Sequence, residues 1–393
     1  MKYIKLFTLY VFLILASIGL FNWFIDPFAM YWSPQIEGVN QKKPQASNRI
    51  RVTKPFRLTQ VQPQVLIMGN SRTELGLSPE HEVFADKKVY NLSIAGATLH
   101  YQIDHILYAI QEVNQLETII LGIDFFDFLV SKETGHHSEN QRQYQHRLAP
   151  FANWQSQKKY GVEILSLIYS LDALSSSATT LMSQQLVTDN ITNLGFNDAQ
   201  SYVRIMKNEG KIPLFAQKLA FIDNKLQEKS WQLRINNKDH YSPKFDKLKE
   251  LIVAAKNNGI ELKLFINPYH YSYLHKISDN GYFDLYLKWK EMLTVFVNDN
   301  QNELLQITDF SGFNEFTLEP ENFEAPFNNM KWFWEPAHYN RELGDVILNT
   351  IYTNSTDSFG KPLTTDTIDK LLEDEKLALN KSLIMWQNLR RKL

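Results

Sequence analysis

The pattern of apolar and polar positions divides the chain into segments of different character. From Leu6 to Ile25 (LFTLYVFLILASIGLFNWFI) run twenty residues without a charge, enough at helical rise to cross the hydrocarbon core of a bilayer. Residues 26–60 are polar, mixed in charge and punctuated by Pro27, Pro34, Pro44 and Pro55, the pattern of an extended stalk. From Val65 the pattern changes to short apolar runs separated by longer amphipathic ones. VLIMG (65–69), KVYNLSIAG (88–96), ETIILGID (117–124), IELKLFINP (260–268) and ELLQITDF (303–310) read as buried strands. Helical periodicity marks 99–113, 243–258, 282–298 and 341–349. Strands alternating with helices predict an α/β fold with a doubly wound parallel sheet, whose ligands bind beyond the carboxyl ends of the strands.

Two stretches depart from this alternation. Residues 134–240 are rich in Gln, Asn and Ser, show no convincing strand and carry helical patterns at 160–174, 199–208 and 212–228. They are expected to form a helical insertion over the strand ends, a lid or acceptor-binding element. In the tail, 356–393, Leu372, Leu379, Trp386 and Leu393 recur every seven residues ahead of Arg390, Arg391 and Lys392. This predicts an amphipathic helix docked on its own domain, with cations at its C-terminal dipole. The expected organisation is an anchor at 1–25, a stalk at 26–60, an α/β domain at 61–355 containing the insertion, and the terminal helix.

The flanks of the apolar run give it an orientation. Lys2 and Lys5 precede it, whereas residues 26–40 contain no Lys or Arg, so the positive-inside rule leaves the N-terminus in the cytoplasm. A cleaved signal peptide is the competing reading, but the run is long for one and no small-x-small site follows. The expectation is a single-pass protein of the cytoplasmic (inner) membrane with its domain outside, in the periplasm or an equivalent extracytoplasmic space. Composition then excludes several classes. With 41 basic against 43 acidic residues the chain lacks the basic excess of a general nucleic-acid binder. Hydrophobic residues at 44% exclude a disordered chain. The absence of cysteine removes disulfides, thiolate metal sites and a cysteine nucleophile.

Chemistry concentrates at two distant places. VLIMGNSRTE sets Gly69, Asn70, Ser71 and Arg72 at the end of the first strand, where a serine stands at the ligand edge of the sheet with backbone N–H groups nearby. Thr73 stands where the α/β-hydrolase elbow requires a second glycine. By itself a Gly-x-Ser after a strand is weak, since Asn and Ser are also turn formers. Near the other end, WFWEPAHYN places Glu335 three residues before His338. That spacing puts carboxylate and imidazole on one face of a turn or helix, where the acid orients the base. Taken alone, this pair reads equally well as a helix cap.

Together these blocks resemble the SGNH, or GDSL-like, serine hydrolase superfamily. The resemblance implies a flavodoxin-like sheet and the following roles. Gly69-Asn70-Ser71 matches the first block with Asn for Asp, Ser71 being the nucleophile. Gly96 matches the second-block glycine whose N–H donates to the oxyanion. Gly122-Ile123-Asp124 falls where the third block has Gly-x-Asn, and Glu335-Pro336-Ala337-His338 matches the last block with Glu for Asp. Asp124 is the departure that matters, because a carboxylate donates no hydrogen bond to an oxyanion. Either Asp124 points elsewhere or it plays a structural role, and the donors are the N–H groups of Ser71 and Gly96, with Arg72 and Asn267 as further candidates. The layout of anchor and extracytoplasmic domain is similar to that of envelope-polymer modifying members of the superfamily, which work beside a membrane-bound acyltransferase.

Other signals carry less. His136, His137 and His146 invite a metal reading, but no acidic residue has ligand spacing and a polar loop explains them better. Tyr269, His270, Tyr271 and Tyr273 follow the fourth strand, where tyrosines stack on sugar rings or simply fill the core. Trp332 and Trp334 flank Glu335, lining an acceptor groove or anchoring the loop. There is no P-loop and no Gly-x-Gly-x-x-Gly, and neither a metal nor another cofactor is expected. The leading expectation is a membrane-anchored serine O-acyltransferase or esterase acting on a cell-surface polysaccharide, with Ser71, His338 and Glu335 as its triad. The alternative is an inactive SGNH-like domain that binds glycans or scaffolds an export complex, for which Asp124 is the best argument.

Overall fold

In a computed structural model of the protein, residues 2–132, 145–148, 153–234, 242–321, 323, 330–353 and 359–393 are described. Two helices, α1 (Lys2–Ile25) and α2 (Ile50–Val61), precede the first strand. Then β1 (Val65–Met68), α3 (Ser71–Gly76), β2 (Val89–Asn91), α4 (Leu99–Glu112) and β3 (Thr118–Ile123) alternate. After α5 (Phe125–Phe128) and β4 (Val130–Ser131) come α6 (Gln145–Leu148), α7 (Trp154–Tyr169), α8 (Leu171–Met182), α9 (Gln200–Glu209) and α10 (Lys211–Gln227). A short β5 (Trp231–Gln232) follows, then α11 (Pro243–Asn257), β6 (Glu261–Ile266), α12 (Tyr271–Asp279), α13 (Phe283–Asp299) and β7 (Leu305–Asp309). The chain closes with β8 (Phe333–Glu335), β9 (His338–Tyr339), α14 (Arg341–Thr353), β10 (Lys361–Pro362) and α15 (Ile368–Lys392).

The chain separates into two compact units, residues 62–139 with 202–393, and residues 1–61 with 140–201. The larger holds a six-stranded sheet in the order β10-β7-β6-β3-β1-β2. Its five central and right-hand members, the predicted strands, pair in parallel, and β10 adds an antiparallel edge that the sequence pattern did not predict. The chain runs from β1 outward to β2 and then back across to β3, so the crevice at the switch point opens beside the carboxyl ends of β1 and β3. Every residue of β1 and β3 is buried, which is why these strands read as unbroken apolar runs rather than alternating ones. The sheet's core joins Val65, Ile67, Ile120 and Phe265 to Leu343, Ile347 and Ile351 of α14. There α14 meets α3 backbone to backbone: a Cβ on Gly344 would lie 1.8 Å from the Gly76 carbonyl oxygen.

The tail helix docks on this unit, but of Leu372, Leu379, Trp386 and Leu393 it buries only Trp386. Its buried positions are Ile368, Leu371, Glu375, Ser382, Trp386 and Leu389. Glu375 pairs with the buried Lys290, which also holds Asp309 at 2.7 Å. Ser382 bonds His275 at 2.9 Å, and Trp386 stacks on the same ring. Polar residues facing inward hid the seam from a reading of apolar spacing.

The smaller unit replaces the expected stalk. Residues 26–60 are folded rather than extended. The Asp26 carboxylate accepts N–H bonds from Met30, Tyr31 and Trp32, Asn40 donates to the Phe24 carbonyl, and Lys43, 1% exposed, donates to the Ile25 carbonyl at 2.8 Å. Side chains that resemble linker polarity in the sequence are the bonds that close this knot. Of the expected insertion, only 140–201 belongs to this unit; residues from 202 onward belong with the sheet. The helix predicted at 160–174 is interrupted at Ser170, whose hydroxyl accepts the Ala173 N–H and starts α8 anew. Helix α1 is long and apolar enough to cross a membrane.

Candidate active site

The carboxyl ends of β1, β3 and β6 lie side by side, and the next residues of each carry the candidate chemistry. After β1, Asn70 caps α3 by accepting the Arg72 N–H at 3.0 Å, so Ser71 opens a helix with its N–H at the positive end of the turn. The Ser71 Oγ lies 2.6 Å from Nε2 of His338, 267 positions away in the sequence. His338 and Glu335 sit on a tight antiparallel hairpin of β8 and β9, not on a helix, and face each other across the Pro336-Ala337 turn. On that hairpin the Glu335 carboxylate meets His338 Nδ1 with one oxygen and accepts the Ala337 N–H at 2.8 Å with the other.

Electrostatics suit a neutral base beside an ionised acid. Burial alone raises the Glu335 carboxyl, but His338 foremost, then Lys218 and the Ala337 N–H, bring it below the usual carboxylate value. Burial pulls the His338 imidazole below its ordinary 6.5, and the opposing pull of Glu335 does not fully restore it. Nε2 is thereby left open to accept the Ser71 proton at neutral pH.

Two residues of this cluster have no motif to announce them. Tyr202 sets its hydroxyl 3.2 Å from His338 Nδ1 and 3.5 Å from Glu335 Oε1, while its ring stacks on Trp334. Lys218 on α10 brings its Nζ to 3.6 Å from Glu335 Oε1. Both come from the polar helical stretch, where neither spacing nor a neighbouring block distinguishes them. Trp334 therefore anchors the hairpin through Tyr202, and Trp332 packs edge-on against Phe316.

Three further candidates for the oxyanion or substrate site, Asp124, Arg72 and Asn267, have other duties. Asp124 is 1% exposed and accepts from Asn70, Asn267 and the Tyr269 hydroxyl, with Arg72 Nη1 at 3.1 Å. It is a hub that immobilises the residues around Ser71. Arg72 in turn donates Nε to the Ala337 carbonyl at 2.8 Å and lies over the rings of Tyr269 and Tyr273. It thus ties the serine turn to the hairpin bearing His338. Burial, the largest single influence, opposes the charge of its guanidinium, but Asp124 together with Tyr273 and Tyr269 raises the pKa. Asn267 spends its amide on Ile123 and Asp124 and its oxygen on the Tyr339 hydroxyl. The tyrosine cluster is largely committed to packing: Tyr269, His270, Tyr271 and Tyr273 are all buried, with Tyr269 and Tyr273 stacked at 4.7 Å, and of the four Tyr273 lines the cleft beside Ser71.

A cleft of about 260 Å³ opens at this point, with Ser71, Gly96, Asp127, Lys218, Lys225 and His338 in its walls. Gly96 turns with φ of +66°, a conformation that suits glycine, in the loop after β2. Burial, assisted by Asp124, pushes the Asp127 carboxyl up to about 7, and burial lowers Lys225. Among the described residues no group of three His, Asp or Glu side chains is arranged to hold a metal ion; His136, His137 and the His146 side chain lie outside the described residues. No protein-family model matches this chain, and no curated protein matches it.

Proposed function

We propose that the protein is a membrane-anchored serine O-acyltransferase or esterase of the SGNH-like type, acting on a cell-surface polysaccharide on the extracytoplasmic side of the cytoplasmic membrane. The observation that carries this reading is the 2.6 Å approach of the Ser71 hydroxyl to His338 Nε2, with Glu335 on the opposite ring nitrogen. In the proposed reaction His338 takes the Ser71 proton as Oγ attacks the acyl carbonyl. The tetrahedral oxyanion is held by the N–H groups of Ser71 and Gly96. The imidazolium then returns the proton to the departing alcohol oxygen, leaving an acyl-Ser71 ester. A polysaccharide hydroxyl, or water, gives its proton to His338 and attacks that ester; the imidazolium then returns the proton to the departing Ser71 Oγ, restoring the serine and the neutral histidine. Arg72 and Asp124 bind no substrate in this scheme; they fix the turn and the hairpin relative to one another.

The membrane setting rests on α1, on the cationic flank Lys2 and Lys5 and on the absence of Lys and Arg from residues 26–40. A membrane-bound acyltransferase is the partner expected to deliver the acyl group. The alternative is an inactive glycan-binding scaffold, argued from Asp124 in place of a donor; the engagement of Asp124 by Asn70, Asn267, Tyr269 and Arg72 supports a structural role for that carboxylate instead.

A fluorophosphonate probe tests the reading directly, since it bonds only to an activated serine. Wild-type protein should label, while Ser71→Ala and His338→Ala, each shown folded by circular dichroism, should not. In cells, Ser71→Ala should bring acylation of the envelope polysaccharide to background. Undiminished acylation by a folded Ser71→Ala protein overturns the proposal.

A further inference from the structure

We infer that the α7–α8 hairpin dips into the same bilayer that α1 crosses, so that lipid acyl chains cover its exposed apolar tip. The inference rests on the reading of α1 as a membrane span and extends it to a second element. Among the described residues nothing buries the first two-thirds of α1, and of that helix only Gly19, Asn22 and Ile25 are buried. The hairpin covers Gly19 and Asn22. The Asn22 amide donates to the Ile168 carbonyl at 2.6 Å, the Ser177 hydroxyl donates to the Asn22 oxygen at 2.7 Å, and a Cβ on Gly19 would fall 2.8 Å from the Tyr169 hydroxyl. Gly19 lies six residues before the end of the apolar run, about 9 Å at helical rise. The end of α7 therefore reaches below the outer limit of the span.

The chemistry of the hairpin agrees with that depth. From Ile164 to Thr188 the only charged residue is Asp172, and its carboxylate is paired with Arg49 at 2.6 Å. Around the tip the large side chains face outward: Leu165 is 55% exposed, Tyr169 49% and Leu171 85%. In water such a cluster is costly, whereas in the outer leaflet it is solvated by hydrocarbon. Asn22 makes the same point from the side of α1. An asparagine inside a span is costly unless its amide is satisfied, and the hairpin supplies both a carbonyl and a hydroxyl. The occupant of this face is thus the lipid surrounding α1, continuous with the uncovered faces of that helix.

Because the chain contains no cysteine, single-cysteine probes report without background. Leu13→Cys and Leu171→Cys, both at exposed positions, are labelled with a polarity-sensitive fluorophore. Each full-length protein is then reconstituted alone into phosphatidylcholine–phosphatidylglycerol vesicles carrying nitroxides at shallow or deep acyl positions. The label at 13 should be quenched by the deep nitroxide and the label at 171, at least twofold more than in nitroxide-free vesicles, by the shallow one. Quenching at 13 with a water-exposed, unquenched label at 171 overturns the hairpin insertion while the span stands. That outcome assigns the face to a protein partner instead. Lack of quenching at both positions overturns the span and the hairpin together.

Discussion

At the scale of single residues, the cluster around Ser71 is a set of hydrogen-bond obligations met with few spare atoms. Asp124, Asn267 and Arg72 look like substrate-binding groups in the sequence because they are polar and end strands. Their partners, visible only once β1, β3 and β6 are side by side, convert them into supports. Under the proposed reaction the acid limb of the pH–rate profile belongs to His338. The neutral ring is the active form, and its pKa is held below 6.5. Turnover of a simple aryl ester should therefore be on its plateau at pH 7 and fall as the pH drops through a midpoint below 6.5. Glu335→Gln removes the anion that raises the ring's pKa and aligns its tautomer. That variant should shift the midpoint further down and cut kcat by on the order of 10³ to 10⁴. An acid limb centred above 6.5 in the wild type, or an unaltered profile in the variant, would contradict this account of the pair.

At the scale of elements, the outcome for each segment follows from which physical signal shaped it. The five parallel strands were legible because burial on both faces leaves continuous apolar runs, and α4, α11, α13 and α14 because one face is apolar, whereas the short α3 and α12 were not. The serine and the Glu-x-x-His block were legible as motifs at the ends of those elements. For the Glu335–His338 pair a spacing of three suited a turn and a helix alike; the structure has the turn, and the flanking strands of three and two residues are too short to leave a periodicity. The folded segment at 26–60 and the seam of α15 were hidden for a common reason: Asn40, Lys43, Glu375 and Ser382 are buried polar residues whose partners no apolar spacing announces. The contact of α14 with α3 yields a sharper expectation. Gly344→Ala adds one methyl where the Gly76 carbonyl already stands, so the helices must part. The change should cost at least about 1 to 3 kcal/mol in urea unfolding and lower kcat, although no polar atom is lost. An unchanged unfolding midpoint would show that the two helices give way freely.

At the scale of the whole molecule, the chain builds two units from alternating segments, and α1 belongs structurally to the smaller one. This predicts an asymmetric response to truncation. Removing residues 1–15 takes away only exposed turns of α1 and should leave the thermal transition of the detergent-solubilised protein within about 2 °C of the full chain. Removing residues 1–25 also strips Lys43, Ser177 and the Ile168 carbonyl of their partners and should lower that transition by several degrees, as the loss of buried hydrogen bonds requires. Equal transitions for both truncations would show that α1 is merely attached to the unit.

The separation of Ser71 from His338 also has a consequence for biosynthesis. The chain emerges from the ribosome N-terminus first, so the hydroxyl of residue 71 is made long before the imidazole that sits against it. Until the last quarter of the polypeptide has been synthesised, delivered and wrapped onto the sheet, that serine is an ordinary alcohol. Under the proposed function, an unfinished chain is thus chemically silent, and only the completed fold sets an imidazole against that serine.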